Sequence, residues 1–373
     1  MSRRIPTPSR AVLPLGRAAN ITDVARVAGV SKATVSRFLS GKTQLLSEAT
    51  WKGIQEAVEA LGYQPSQIAR SLKGGQTRLI GMVVADVENP YSMAVLRGAE
   101  AECHRAGYLL ALCNSGGSHD KERELLAGLR AYRIEGLILN CSGEEAEHAA
   151  GTIPKGLPLV LLDRRLPNGK AEGGDFDFVG LDNSEATATA VHHLAGNGFS
   201  EIALIIEPVS GVSVRSERVT GFHATLKGLP SCHGQVIEVD LRHPGAMGEA
   251  LSAFLAAPAR GPRAVIAGSG LVTLRLAQHL QVMGLSMPRD VGLVGFDELE
   301  WSSLVSPGIT TISQPTHEIG VSAVRNLLAR LGGEESPPHN TIFPGNLIVR
   351  ASSAPVGAPV DMQKTRSGRL TKA

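Results

Sequence analysis

The sequence predicts a small all-α head joined to an α/β body of two doubly wound parallel-sheet subdomains. Three observations carry that expectation. From Asn20 to Gly62 apolar residues recur at helical spacing in short units. From Arg78 onward short apolar runs alternate with amphipathic stretches, the texture of parallel strands covered by helices on both faces. The charge is also split: residues 1 to 78 hold 12 Lys or Arg against 4 Asp or Glu, and residues 79 to 354 hold 21 against 30, although the whole chain shows only +2. A basic head on an acidic body points to a front end that meets a polyanion, because phosphate neutralisation drives most non-specific nucleic-acid affinity.

In chain order, residues 1–19 and 355–373 are rich in Pro, Gly, Ser and basic residues without periodicity, so a disordered basic arm and a disordered tail are expected. Residues 20–63 fit three helices, with Ile21, Val24, Ala25 and Ala28 on the first, Val35, Phe38 and Leu39 on the second, and Ile54, Ala57, Val58 and Leu61 on the third. Asn20, Ser31 and Ser47 stand where N-caps should, their side-chain oxygens able to accept the unpaired amides of a first turn, and Gly29 marks the first helix's stop. Residues 64–75 follow as a hinge. Pro65 ends the preceding element, Ser66 offers a cap and Gly74-Gly75 a stop, and so short a helix needs something to fold against, since isolated helices below ~12 residues rarely overcome the cost of nucleation.

The body spans 76–354. RLIGMVVAD, YLLALCNS, IEGLILNC, LPLVLLDR, EIALIIEP, AVIAGS and VGLVGFDE read as strands, with PYSMAVLRGAEAECHRAG and HDKERELLAGLRAYR as helices between the first of them. A body of this length reaches the size, about 250 to 300 residues, at which a single core stops growing. Two layers with a crevice between them follow, one expected over about 76–178 and 309–338, the other over about 179–308 and 339–354. Ligands of such sheets bind outside the carboxyl ends of the strands.

Several function classes fall away. Cys103, Cys113, Cys141 and Cys232 have no metal-binding spacing and lie in or beside apolar runs, so they read as core thiols in a reducing compartment, and no metal or cofactor is expected. No stretch approaches the ~18 to 20 apolar residues of a membrane span. The basic N-terminus is broken by Pro14, Gly16 and Arg17 before a signal-peptide core could form, so a cytoplasmic protein is expected. The alternative is a cytoplasmic α/β enzyme acting on a sugar or sugar acid, with an accessory basic domain. Gly268-Ser269-Gly270 with Asp290 beyond it touches on a dinucleotide fingerprint, but Thr273 stands where the third glycine belongs and Asp290 precedes a strand rather than ending one. No nucleophile elbow or HExxH motif is present, and a non-enzymatic protein is the expectation.

A helix, a tight turn at Gly29 and a second helix from Ser31 make helix-turn-helix geometry, whose second helix enters the major groove. Burying Val30, Val35 and Phe38 or Leu39 turns Lys32, Ala33, Thr34, Ser36 and Arg37 outward. Lys32 and Arg37 suit guanine O6 and N7, Ala33 a thymine methyl, Thr34 and Ser36 phosphates. An ordinary pair of packed helices with a solvated Lys and Arg has the same spacing, and the charge asymmetry is what favours DNA.

ITDVARVAGVSKATVSRFLSG, followed by GYQPSQIARSLKGG and RLIGMVV, resembles the LacI family of bacterial transcription factors, with the likeness running from about Asn20 to Ser353. The resemblance implies a homodimeric repressor on a pseudo-palindromic double-stranded DNA operator, with Asn20, Lys32, Ala33, Thr34, Ser36 and Arg37 at the DNA. It implies a hinge helix over the minor groove, with Ala69, Leu72 and Lys73 against DNA and Leu72 wedged between base pairs, which bends the site. It also implies that the body is periplasmic-binding-protein-like, with a small-molecule effector in the cleft near Tyr91, Ser92, Asp163, Arg164, Arg218, Ser269 and Asp297. Arg218 offers a planar fork for a carboxylate or paired hydroxyls, and a structural ion pair with Glu217 or a nearby Asp is the competing role. Many sugar-responsive members carry Asn-Asp where this chain has Gly268-Ser269. Losing that anion beside Arg164, Arg215 and Arg218 suggests a sugar acid over a neutral hexose, and GFDELEWSSLVSPGITTISQPTHEIG resembles the branch answering to 2-ketogluconate or 2-keto-3-deoxygluconate.

Overall fold

The computed structural model describes residues 19–41, 44, 46–64, 76–142, 156–166 and 176–355, and the chain divides between Thr77 and Arg78 into two compact units. Of the expected segments, most of the arm, the tail and the hinge lies outside the described residues, Ala69, Leu72 and Lys73 included. No helix among the described residues is long and apolar enough to cross a membrane.

The first unit contains α1 (Ile21–Val27), α2 (Lys32–Leu39) and α3 (Glu48–Ala60). The three expected N-caps are in place. Asn20 accepts the Thr22 and Asp23 amides while the Asp23 carboxylate returns to the Asn20 amide at 3.1 Å, Ser31 accepts from Thr34, and Ser47 from Thr50. Each such cap contributes about 1 kcal/mol. Gly29 at φ +65 ends α1 in the left-handed region that an L side chain resists, and lets the Val30 amide bond back to the Ala25 carbonyl at 3.0 Å. Val24, Ala25, Val35, Ile54 and Ala57 form the buried centre, closed by Tyr63 and flanked by the Phe38–Trp51 ring pair at 5.8 Å.

The second unit holds two six-stranded sheets. β1 (Leu79–Val84), β2 (Leu109–Asn114), β3 (Gly136–Leu139), β4 (Leu159–Leu162), β5 (Asp177–Leu181) and β11 (Asn340–Phe343) form one, in the order β11-β5-β4-β3-β1-β2. β6 (Glu201–Ile206), β7 (His233–Glu238), β8 (Arg263–Ala267), β9 (Gly292–Phe296), β10 (Thr310–Ser313) and β12 (Asn346–Ile348) form the other, in the order β12-β10-β9-β8-β6-β7. Every pairing is parallel except β10 with β12. Separate apolar clusters cover the two faces of each sheet, which is why the central strands read as continuous apolar runs.

The crossings between halves fall a few residues later than expected. β5 remains in the first sheet through Leu181, β10 belongs to the second, and β11 and β12 part company between Phe343 and Asn346. Apolar texture identifies a strand but not its ladder partner. Here the partner is fixed partly by an ion pair of the buried Asp177, at the start of β5, with the half-buried Arg330 of α10 (Thr316–Leu331) at 2.8 Å. α10 in turn crosses α4 (Pro90–Arg105) with the backbones nearly touching: a Cβ on Gly98 would stand 2.2 Å from the His317 carbonyl oxygen, and one on Gly320 2.2 Å from that of Val95. That crossing holds the α4 N-terminus rigidly at the mouth of the first sheet. The four cysteines are free thiols, Cys103 and Cys141 buried and Cys113 and Cys232 half-buried.

Candidate functional site

On the head, α2 presents Lys32, Ala33 and Arg37 to solvent with Val35 beneath them, and neither cation has a partner among the described residues. Two other expected DNA residues are occupied in the fold. Asn20 caps α1, and the Thr34 hydroxyl sits 2.8 Å from that of Ser31 at the α2 cap. Ser36 is half-buried.

In the body, the carboxyl ends of β4, β6, β8, β9 and β10 and the first turns of α4 and α7 (Ser213–Lys227) surround a cleft of about 430 Å³. Tyr91, Asp163, Arg164, Arg218, Ser269 and Asp297 all line it. Ser92 does not: it is buried in the first turn of α4, and one residue on from Tyr91 a helix has turned by ~100°, so the two side chains leave on different faces.

Arg218 is the most constrained cation of the cleft. It is 5% exposed, its guanidinium lies 3.9 Å from the Phe296 ring centroid, Nε donates to Asn183 Oδ1 at 3.0 Å and Nη1 to the Gly268 carbonyl. It forms no ion pair with Glu217 among the described residues. Asn183 stands between the two, its Nδ2 donating to Glu217 Oε2 at 2.9 Å, and Nη2 of Arg218 makes no hydrogen bond among the described residues. One edge of a desolvated fork is therefore available to a ligand.

Asp163 follows β4 and Asp297 follows β9, the equivalent strand of the other half, and both sit on left-handed backbone, at φ +62 and +68. Asp297 is held firmly, by the Gly270 amide at 3.0 Å and Gln314 Nε2 at 2.7 Å, whereas among the described residues the Asp163 carboxyl receives Asn140 Nδ2 alone, at 3.3 Å. Burial pushes both carboxyls above the usual range, against the pull of Arg218 on each and of Arg164 on Asp163. The Tyr91 hydroxyl, raised well above its ordinary pKa by burial and then by Asp163, lies beside that carboxyl without completing a hydrogen bond. Arg164 donates to the Cys141 carbonyl at 3.0 Å, and Arg215 to that of Pro208 at 2.8 Å.

Two polar lining residues are absent from the sequence-based expectation, Glu207 immediately after β6 and Gln314 immediately after β10, as are the apolar Val212 and Val214. Glu207 Oε2 and Gln314 Oε1 are buried without a hydrogen-bond partner among the described residues, as is the Tyr91 hydroxyl. The rule that ligands meet the residue just past a parallel strand would have found Glu207, because EIALIIEP was already read as a strand. Gln314 follows a four-residue strand that no apolar run announced.

Residues 20–66 match the model of bacterial regulatory proteins of the lacI family, and residues 191–353 that of the periplasmic binding protein-like domain. The chain is 44% identical over 335 residues to the HTH-type transcriptional regulator PtxS of Pseudomonas putida, covering 90% of this chain and 96% of that one. It is 37% identical over 337 residues to the HTH-type transcriptional regulator KdgR of Bacillus subtilis, covering 89% and 97%. The lac repressor dimer bound to operator and the anti-inducer ONPF shares the fold with a TM-score of 0.76 at 24% identity, over 91% of this chain and 100% of that one. With its capped helix-turn-helix head and two-halved core, this chain belongs to the LacI family and is a DNA-binding transcriptional regulator with an effector-binding domain.

Proposed function

We propose that this regulator is a cytoplasmic repressor that binds a pseudo-palindromic operator as a homodimer, and that a sugar acid such as 2-ketogluconate, held in the core cleft, alters its grip on DNA. The observation that carries this reading is the set of buried, unpartnered polar atoms on Tyr91, Glu207 and Gln314 beside Arg164, Arg215 and Arg218. An unpaired buried polar group costs about 1 to 3 kcal/mol, and a hydroxylated acid is a ligand that offers each of them a partner.

Glu207 restores to the cleft the anion that Gly268-Ser269 had removed, giving three arginines and three carboxyls among the lining residues. Burial raises Asp163 and Asp297 toward their neutral forms, which shifts the balance back toward the arginines and keeps an acid favoured. Tyr91, Asp163 and Arg164 come from the half built on the first sheet, and Arg218, Asp297 and Gln314 adjoin the second. A ligand bridging both favours one inter-half angle over others, and a coupling of ~1 to 3 kcal/mol to DNA is the usual scale. We read the cleft as a sensor and not as a catalyst.

For the homodimer, an open groove between α9 (Gly270–Val282) and the turn at Leu304 and Val305 is lined by Ala277, Leu280, Leu285 and Leu304, the last 81% exposed, an apolar surface suited to a second copy. Sedimentation of Leu304→Asp should show monomer where the wild type shows dimer. Titration calorimetry with 2-ketogluconate, 2-keto-3-deoxygluconate and neutral hexoses tests the effector: heat from a neutral sugar alone would overturn the sugar-acid reading.

A further inference from the structure

We infer that Glu207 is the specificity-determining acceptor of the cleft, taking a ligand hydroxyl through its Oε2 oxygen, and that Ser269 is its positioning residue; this rests on the reading of the cleft as an effector site. Glu207 occupies the first position after β6, so the parallel strand aims it at the crevice. Its two oxygens are not equivalent. Oε1 accepts the Ser269 hydroxyl at 3.0 Å and has Arg215 Nη2 at 3.7 Å, while Oε2 is buried and has no hydrogen-bond partner among the described residues.

The one proton of the Ser269 hydroxyl is committed. The hydroxyl accepts the Val272 amide at 3.3 Å as the N-cap of α9 and spends its one proton on Glu207. Ser269 thus lines the cleft but has no donor left for a ligand. Its work is to fix the Glu207 carboxylate in one rotamer, with Oε2 presented inward. Arg215 is pinned on its far side by the Pro208 carbonyl at 2.8 Å, and so holds a cation beside that carboxylate without saturating it.

A carboxyl oxygen with open lone pairs recognises a donor. Among ligands that arginines attract, the donor is a hydroxyl on the carbon chain that also bears the acid group. Glu207 therefore reads the hydroxyl pattern of the ligand, and Arg218, with its free Nη2 edge, is placed to take the anionic end. Discrimination by a buried acceptor of this kind is strong, because the analogue lacking the hydroxyl leaves the carboxylate unpaired again.

The test is a non-additivity measurement by calorimetry on the full chain. Wild type, Glu207→Gln and Glu207→Asp are each titrated with gluconate-series sugar acids, with the matching neutral sugars, and with the monodeoxy analogue at every hydroxyl position. The expectation is that wild type loses about 10-fold or more in affinity on deletion of one particular hydroxyl, as a hydrogen bond to a charged group predicts. Glu207→Gln binds the parent ligand more weakly yet is nearly indifferent to that same deletion, and Glu207→Asp, one methylene short, falls between them. Equal losses across all analogues in Glu207→Gln, or no loss for any ligand, would overturn the assignment and leave Glu207 a counter-ion of Arg215. Non-additivity seen only with neutral sugars would retain Glu207 as the hydroxyl acceptor and reject the acid class.

Discussion

The recognition helix and the cleft both depend on arginine, in opposite physical states. Lys32 and Arg37 stand in solvent with no partner among the described residues, the state in which a cation can displace counterions from a polyanion. Arg218 is 5% exposed, stacked on Phe296 and tied to Asn183 and Gly268. The difference teaches which site tolerates imprecision. An exposed cation finds its phosphate or base edge after docking and is weakened by salt. A desolvated fork must be built in place beforehand and is shielded from salt by the protein around it.

The widest separation between the two sites should appear in ionic strength. Raising salt from 50 to 200 mM should cost DNA affinity about a thousand-fold or more if the dimer makes six or more phosphate contacts. Effector affinity should change far less, and parallel losses in calorimetry and fluorescence anisotropy would erase the distinction. Next in size, Arg218→Ala should lose on the order of 100-fold in effector affinity, since truncating a buried hydrogen-bonded charge typically costs 2 to 5 kcal/mol. Arg218→Lys should recover little of it, because an ammonium cannot reproduce a fork stacked on a ring. On the head, Arg37→Ala and Lys32→Ala should each cost operator affinity about 10-fold, within the 1 to 3 kcal/mol of a good base contact, with effector affinity unmoved.

The smallest expected effect separates the two halves of the core. Among the described residues Asp297 is pinned by an amide and a glutamine, and Asp163 only by Asn140 beside an unpaired Tyr91 hydroxyl. Asp163 is therefore the less compensated of two buried carboxyls, and asparagine tolerates its left-handed backbone. Asp163→Asn should raise the melting temperature, by roughly 2 to 4 °C per kcal/mol relieved, while weakening effector binding. Its sign with pH follows from linkage. A carboxyl raised by burial keeps its proton in the folded state where the unfolded chain has already lost its own, so its contribution to stability falls as pH rises through that window. The melting advantage of Asp163→Asn over wild type should therefore grow from acid toward neutral pH, and a constant or shrinking advantage would refute the burial of charge at Asp163.

Local chemistry was legible in the sequence where the residue itself does the local work. Asn20, Ser31 and Ser47 are caps because side-chain oxygens three residues before an amide serve no other local purpose so well, and the apolar strands read plainly because both of their faces are covered. What was not legible depended on pairing across the chain. β5, β11 and β12 are short, and their sheet is decided by ladder partners and by contacts such as Asp177 with Arg330, separated by 153 residues. Ser269 lines the cleft as expected, but the sequence did not show that its one hydroxyl proton goes to Glu207, 62 residues away, while its oxygen caps the Val272 amide three residues on. Ser92 shared a motif with Tyr91 but not a helix face.

The central claim is that a ligand in the cleft controls the head. Fluorescence anisotropy on DNA from the upstream region of the chain's own gene, with and without saturating 2-ketogluconate, measures that coupling directly. The account predicts a change in wild-type DNA affinity of about 5- to 150-fold, and a ratio close to one for Arg218→Ala at the same acid concentration. A wild type indifferent to every sugar acid, or an Arg218→Ala that responds as fully as wild type, would contradict it.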